Sequence, residues 1–331
     1  MKKTAVFIGA GYSHVAGLPL ARDLFDAPTY LPRDSDYKRW QSVVDDFGDW
    51  CISNPGRGPE QYLSSLYSKT PGPQTHLYEA AVEFITATLA TPMRSDYVRG
   101  RVRYSSRLSK PYPCEAHEEF WNEMLESTDV QAVVTTNYDL LIERSLRHRP
   151  MKRPYRPGFH YGGFQVPLKI EGKGHPFPRD NLPVVLRGGV PVYKLHGSLN
   201  WALGNSEVTV YVDVRPAFRR PEPGYRSAIV PPVDEKDVPR WLRSTWVEAE
   251  TCLRSVQDII VCGYSLPTYD KEVTDLLRRG MGDTPKRVFV LDPNSSALSS
   301  RYSELGSRAT VIALPGLPEG TELLSRSLRE E

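Results

Sequence analysis

The residues of this chain best suited to acid–base chemistry on a bound ligand are Asn137, Asp139 and His196. The first two stand in the run TTNYD at positions 135–139, and His196 is followed directly by a glycine. An amide can orient a water molecule, and an imidazole with an ordinary pKa of about 6.5 can accept a proton near neutral pH. Each residue alone has a simpler explanation, because Asn and Asp often cap helices and a single His is usually structural.

A glycine-rich turn near the start of the chain could hold a phosphate group. It reads Gly9-Ala10-Gly11-Tyr12-Ser13 and follows an apolar run. Glycine lets the main chain approach a diphosphate, and the start of the following helix supplies N–H donors. The common G-x-G-x-x-G fingerprint is not complete, because His14 stands where the third glycine would be. A plain tight turn is therefore the alternative.

Two further motifs lie near the end of the chain. The run Gly263-Tyr264-Ser265-Leu266-Pro267 is followed shortly by Asp270, and Asp292-Pro293-Asn294 comes after the next apolar run. Like the motifs already described, both begin where a short apolar run ends.

Six short apolar runs predict the strands that position these motifs. They are Thr4–Ile8, Val130–Val134, Pro191–Leu195, Asp258–Cys262, Val288–Leu291 and Thr310–Leu314. Such runs are typical of strands buried on both faces, and helical patterns follow at Leu18–Phe25 and Leu140–Arg147. The alternation predicts an α/β fold, a doubly wound and mostly parallel Rossmann-like sheet. In such sheets the polar residues just past the strand ends line the ligand crevice.

The remaining segments suggest how the chain is organised. We predict one catalytic domain over residues 1–331, with a mostly helical insertion at 35–127 between the first two strands. Residues 150–191 are rich in Pro and Gly, which suits a long loop over the cleft or an arm that contacts a partner. A hairpin is expected around Val208–Val212.

Composition limits the location and the partners. The net charge is +2, so the whole chain carries no strong polyanion signal. A basic stretch at 94–110 contains two tyrosines and leaves direct nucleic-acid binding open, although a solvated face is the simpler interpretation. The apolar run at the start is too short for a secretory signal, and no run approaches the roughly 20 apolar residues of a membrane span. We expect a cytoplasmic protein that does not bind membranes.

Taken in order, the five motifs resemble those of the sirtuin-like family, and specifically its bacterial defence branch that degrades NAD⁺. The resemblance implies that the first loop, through Gly9, Ala10, Gly11 and Ser13, binds the diphosphate of NAD⁺. It also implies that Asn137 and Asp139 lie in the cleft and that His196 is the catalytic histidine. On the adenosine side it implies Gly263 and Ser265, with Asn294 as a contact to the adenine ribose.

The sequence departs from protein-deacylating sirtuins. Those enzymes carry a zinc module with two C-x-x-C pairs, whereas the four cysteines here (Cys51, Cys114, Cys252 and Cys262) form no such pair. The acidic-aromatic-arginine run of deacylases is replaced by Leu20-Ala21-Arg22. We therefore expect no metal, with NAD⁺ as the substrate.

The resemblance implies an NAD⁺ glycohydrolase that yields nicotinamide and ADP-ribose and depletes NAD⁺ in anti-phage defence. Asp139 could act on the developing cation, or could orient Asn137 and cap a helix. A non-catalytic module that senses NAD⁺ or an ADP-ribose derivative is the main alternative, followed by ADP-ribosyl transfer and protein deacylation. A constitutive enzyme would poison its own cell, so we expect control by a homo-oligomer or by a separate sensor such as a HerA-type ATPase or a short Argonaute.

Overall fold

The central element of the fold is a seven-stranded parallel sheet. The computed structural model describes residues 1–25, 40–67, 75–90, 114–146, 158–163, 168–171, 189–204, 208–211, 226–233 and 238–329. The strands are β1 (Lys3–Ile8), β2 (Asp129–Thr135), β3 (Phe159–Tyr161), β4 (Leu168–Glu171), β5 (Val190–Lys194), β6 (Gly197–Leu203), β7 (Val208–Tyr211), β8 (Arg226–Ile229), β9 (Asp258–Cys262), β10 (Lys286–Leu291) and β11 (Ala309–Leu314). The central sheet has the order β11-β10-β9-β1-β2-β5-β3, and every neighbouring pair in it is parallel.

The sheet is wound outward from β1 in both directions. Strands β2, β5 and β3 lie on one side of β1, and β9, β10 and β11 lie on the other. The winding reverses between β1 and β9, and this switch point is where doubly wound sheets bind ligands. The fold class predicted from the sequence is confirmed, and all six predicted strands are present.

Both faces of the sheet are buried, which explains the apolar runs. Along β1, Ala5 and Phe7 pack into one core while Val6 and Ile8 pack into the other, because side chains alternate across a strand. A strand with apolar partners on both sides leaves few positions for polar residues. Polar side chains are therefore concentrated just beyond the strand ends.

Ten α-helices surround the sheet in the described part of the chain. They are α1 (Ala10–His14), α2 (Gln41–Ser53), α3 (Pro59–Tyr67), α4 (Thr75–Ala90), α5 (Glu115–Ser127), α6 (Leu141–Leu146), α7 (Arg243–Ser255), α8 (Lys271–Met281), α9 (Ser295–Ser303) and α10 (Gly320–Arg329). The described residues of the predicted insertion form α2 to α5, and their aromatic side chains pack together. Phe25, which precedes the insertion, also joins this cluster and stacks on Phe47 at 4.5 Å and on Phe84 at 5.4 Å between ring centroids.

The helix predicted over Leu18–Phe25 is wrong. The chain forms a turn with Gly17 at φ +88°, and then only a short 3₁₀ turn at Ala21–Asp23. Pro19 is the physical reason, because proline lacks an N–H donor and disfavours a helical conformation at the residue before it. The apolar residues of this segment instead contribute to the wall of a cavity described below. The helix expected at Leu140–Arg147 is present as α6.

A second, four-stranded sheet covers part of one face. Its order is β4-β7-β6-β8, and β6 begins at Gly197, directly after His196. The expected hairpin around Val208–Val212 is formed by β7, which pairs antiparallel with β6. Trp201, Val208 and Val210 of this sheet join the core formed with Ala5 and Phe7.

Several expectations fall on parts of the chain that the structure does not describe. The basic stretch at 94–110 lies outside the described residues, as does most of the Pro/Gly-rich region at 150–191. Within the described ranges, no helix combines the length and the apolar character that a membrane crossing requires.

Candidate active site

A cavity of about 630 Å³ opens at the carboxyl ends of the parallel strands. Most of its lining comes from the segments that follow six of the seven strands: β1, β2, β5, β9, β10 and β11. Nine of the ten residues predicted for the site line it: Ala10, Gly11, Ser13, Asn137, Asp139, His196, Gly263, Ser265 and Asn294. The tenth, Gly9, precedes Ala10 and is not itself part of the lining.

The two glycine turns interlock because β1 and β9 are neighbours. Gly11 N donates to Gly263 O at 2.9 Å, and Gly9 N donates to Cys262 O at 3.0 Å. A Cβ atom on Gly263, at φ +65°, would lie 2.3 Å from Tyr12 N. These glycines are therefore required for the close approach of two main chains. Since the N–H groups of Gly9 and Gly11 are used within the protein, other groups of the turn must provide any contact to a diphosphate.

Asn137 is held in place by the first glycine turn. Its Nδ2 donates to Gly9 O at 2.9 Å and to Ser13 Oγ at 2.8 Å, and only 7% of the residue is exposed. The turn that presents it is shaped by Thr135, whose Oγ1 accepts from Asn137 N at 3.0 Å. Both amide hydrogens of Asn137 therefore point into the protein, and Oδ1 is the atom suited to accept a hydrogen bond from a ligand or a water molecule.

Asp139 is bound to the protein through both carboxylate oxygens. Oδ2 accepts from Ser13 Oγ at 2.6 Å, and Oδ1 accepts from Leu141 N at 2.9 Å at the start of α6. Ser13 thus joins Asn137 and Asp139 in one hydrogen-bonded chain. Of the two roles considered for Asp139, these contacts favour orienting Asn137 and capping the helix.

A buried ion pair stabilises the loop that carries Asn137 and Asp139. Lys194 Nζ lies 3.0 Å from Glu143 Oε1 and donates to Asp139 O at 2.5 Å. Tyr161 OH also donates to Glu143 at 2.9 Å, and burial, followed by the charge of Glu143, holds the pKa of Tyr161 well above its ordinary value. The phenol therefore stays protonated and can donate. Neither Lys194 nor Glu143 was predicted from the sequence as part of the site.

His196 lies close to Asp270 in the lining of the cavity. Its Nε2 is 3.6 Å from Asp270 Oδ1, and about 5% of each side chain is exposed. Leu195 N donates to Thr135 O at 2.9 Å, which brings the segment carrying His196 beside the one carrying Asn137. The two predicted reactive residues therefore lie on neighbouring strand ends and face one cavity.

Other cavity residues were missed by sequence reasoning. Arg22 lines the cavity beside the turn that replaces the predicted helix, and Glu60 and Leu89 come from α3 and α4. The motifs gave no signal for Glu60 or Leu89, because their position depends on how the insertion packs. Asn294 lines the cavity at the start of α9, where its main-chain N donates to Asp292 Oδ1 at 2.8 Å.

Among the described side chains, no cluster of three or more His, Cys, Asp or Glu residues could hold a metal ion. All four cysteines are free thiols. Burial is the leading cause that raises the pKa of Cys252 to about 11, so this thiol stays protonated near neutral pH.

The fold and the cavity define a doubly wound α/β protein with a cleft at its switch point. The model of the SIR2-like domain matches residues 131–309, more than half of the 331 residues, and the chain belongs to this family. No curated protein matches the sequence.

Solved structures with a similar fold include Sir2 homologues. One is a Sir2 homologue–NAD complex, which is 15% identical with a TM-score of 0.49 over 99% of this chain and 90% of that chain. Another is a mutant Sir2 homologue with 2'-O-acetyl ADP ribose, 14% identical with a TM-score of 0.49 over 99% of this chain and 91% of that chain.

Proposed function

We propose that this protein binds NAD⁺ in the cavity and hydrolyses its nicotinamide–ribose bond to give nicotinamide and ADP-ribose. The observation that carries the proposal is that Asn137 and His196 lie on the adjoining ends of β2 and β5, inside one cavity with both glycine turns. The volume of about 630 Å³ lies within the range of sites for small molecules and cofactors.

The chemistry needs little beyond these two residues. Nicotinamide in NAD⁺ is already a cationic leaving group, so the demanding step is delivery of water to an oxocarbenium-like ribose carbon. Asn137 Oδ1 would accept a hydrogen bond from that water. Asn137 Nδ2 already donates to Gly9 O and Ser13 Oγ, so Oδ1 is the amide atom left for the water. His196 would accept a proton from the water or from a ribose hydroxyl, and such general-base help contributes about 10²–10⁴-fold. The C–N bond breaks, and nicotinamide leaves as a neutral molecule.

Direct assay of the purified protein tests the proposal. We expect nicotinamide and ADP-ribose to form in equal amounts from NAD⁺, and Asn137→Ala and His196→Ala each to reduce turnover by about 100-fold or more. Ser303→Ala, on the exposed surface of α9, is a matched control that should behave as the unaltered protein. Undiminished turnover in both active-site variants would refute the proposal.

A sensing module without turnover would give a different result. Calorimetry would then detect tight binding of NAD⁺ or ADP-ribose, while no product formed even with candidate partners present. Formation of an acyl-ADP-ribose or of an ADP-ribosylated macromolecule would instead favour the deacylase or transferase alternatives. Product analysis together with calorimetry therefore separates all four functions.

The biological role we propose is depletion of cytoplasmic NAD⁺ during phage infection. Because constant hydrolysis would kill the host, activity should depend on self-assembly or on a separate sensor protein. We expect low turnover in the dilute monomer and a marked rise when the chain is oligomeric or bound to its partner. High activity at concentrations where sedimentation gives only monomer would contradict this control.

A further inference from the structure

Asp270 follows the motif at 263–267 and has no role predicted from the sequence, yet its carboxylate lies close to the imidazole of His196. Its Oδ1 lies 3.6 Å from His196 Nε2, and both side chains line the cavity. The two residues are 74 positions apart in the chain and come from the segments after β5 and β9. Their proximity is therefore a product of the strand order.

The carboxylate of Asp270 is itself fixed. Tyr264 OH donates to Oδ2 at 2.9 Å, and Tyr264 is held in turn because Tyr302 OH donates to its carbonyl at 2.7 Å. Burial, and then the charge of Asp270, hold the pKa of Tyr264 well above its ordinary value. The phenol stays protonated and donates, so Oδ2 is engaged by Tyr264 while Oδ1 faces the imidazole.

Two aromatic side chains beside the imidazole are uncharged near neutral pH. Tyr138 lies with its ring centroid 6.4 Å from that of His196, and burial, followed by the charge of Asp270, raises its pKa well above the ordinary value. Trp246 of α7, at 6.1 Å, does not titrate. Tyr269 and Asp139 also line the cavity, and Asp139 is engaged by Ser13 and Leu141.

We infer that Asp270 is a positioning residue for the proposed reaction: it orients His196 and stabilises the imidazolium that forms when His196 accepts a proton. The catalytic consequence of this pairing rests on the proposed function, whereas the pairing of Asp270 with His196 does not. An opposite charge within about 4–6 Å favours the charged form of a group, and the effect is strong where water is excluded. In the step itself one proton moves from the attacking water or a ribose hydroxyl to His196.

The first test follows the titration of His196 by ¹⁵N NMR and needs no enzymatic activity. Asp270→Asn keeps an oxygen that can accept from Tyr264, so we expect it to fold and His196 to titrate about one pH unit lower. Asp270→Glu restores a carboxylate and should recover part of that difference. Asp275→Asn, on the exposed face of α8, which begins directly after Asp270, is the matched control and should leave the titration unchanged. An unchanged titration in Asp270→Asn would overturn the inference.

The second test uses the pH profile of NAD⁺ hydrolysis. In Asp270→Asn the acidic limb of kcat should move to lower pH together with the His196 titration, and the plateau should fall about tenfold. A loss of activity with an unmoved limb would mean a merely structural role and would overturn the inference. If the titration moves but no variant hydrolyses NAD⁺, the proposed function fails while the pairing stands. If neither Asp270→Asn nor Asp270→Ser folds, Asp270 is a folding residue and the inference is wrong.

Discussion

Ser13 Oγ donates a hydrogen bond of 2.6 Å to Asp139 Oδ2, and the two residues are 126 positions apart in the chain. The same hydroxyl oxygen accepts from Asn137 Nδ2 at 2.8 Å. One serine therefore connects the first glycine turn to both polar residues after β2. This connection makes the orientation of Asn137 depend on a residue that the motif comparison assigned only to ligand binding.

Ser13→Ala should disturb the site without unfolding the protein. The change removes an acceptor for Asn137 and a donor to Asp139, so we expect stability to fall by about 1–2 kcal/mol. We also expect hydrolysis of NAD⁺ to fall about tenfold, because the amide loses one of its two anchors. Urea unfolding and product formation measure the two effects, with Ser303→Ala as the surface control. Equal activity in Ser13→Ala and the unaltered protein would show that the anchor at Gly9 O suffices.

Asp139→Ala should lower stability by about 1–3 kcal/mol, because Leu141 N and Ser13 Oγ both lose a buried acceptor. Asp139→Asn keeps one oxygen acceptor for Leu141 N and should lose less. Thermal or urea unfolding of the two variants gives the comparison. The structural role of Asp139 would be refuted by an alanine variant as stable as the asparagine variant.

The Lys194–Glu143 pair gives a double-mutant prediction. Lys194→Met leaves the buried Glu143 charge without its cation, which should cost about 3–5 kcal/mol. The double variant Lys194→Met with Glu143→Leu removes both charges and should recover most of this loss, since apolar replacements of buried pairs are often neutral. Denaturant unfolding of the single and double variants measures the coupling. Additive losses would contradict a direct interaction.

Gly263→Ala should strongly destabilise the protein and abolish ligand binding. The new Cβ would lie 2.3 Å from Tyr12 N, at a φ of +65° that alanine rarely adopts. The two interlocked turns would have to separate, which would deform the cavity wall. Gly48→Ala, inside α2 with no atom within 4 Å of the new Cβ, is the opposite control and should stabilise by up to about 1 kcal/mol. Binding of NAD⁺ by calorimetry and thermal unfolding give the readouts.

The sequence predicted the sheet well because its strands are buried on both faces. Runs such as Asp258–Cys262 contain little besides apolar and β-branched residues, so their positions are determined by composition alone. Because residues just past the carboxyl ends of parallel strands line one crevice, Asn137, His196 and the glycine turns could then be placed in one region. The helix predicted at Leu18–Phe25 does not form. The apolar spacing of this segment is typical of a helix, but Pro19 breaks the helical conformation.

The supporting contacts of the site could not be predicted in the same way. Asp270 faces His196 because of the strand order, in which β9 and β5 lie on opposite sides of the β1–β2 pair. A local sequence pattern does not indicate how close two residues from such distant segments lie in the fold. The Lys194–Glu143 pair depends on the packing of α6 beneath β5. Glu60 and Leu89 reach the cavity from the insertion helices, whose arrangement is set by their aromatic contacts.

The central position of β1 has a consequence for the order of events at the ribosome. Strand β1 is synthesised before its neighbour β9, which begins at Asp258, 250 residues after β1 ends at Ile8. Pairings between such distant segments form late, after the chain between them has been synthesised. The cavity cannot form until Gly263 has emerged and interlocked with Gly11. The candidate site is therefore completed only when most strands of the sheet have been synthesised.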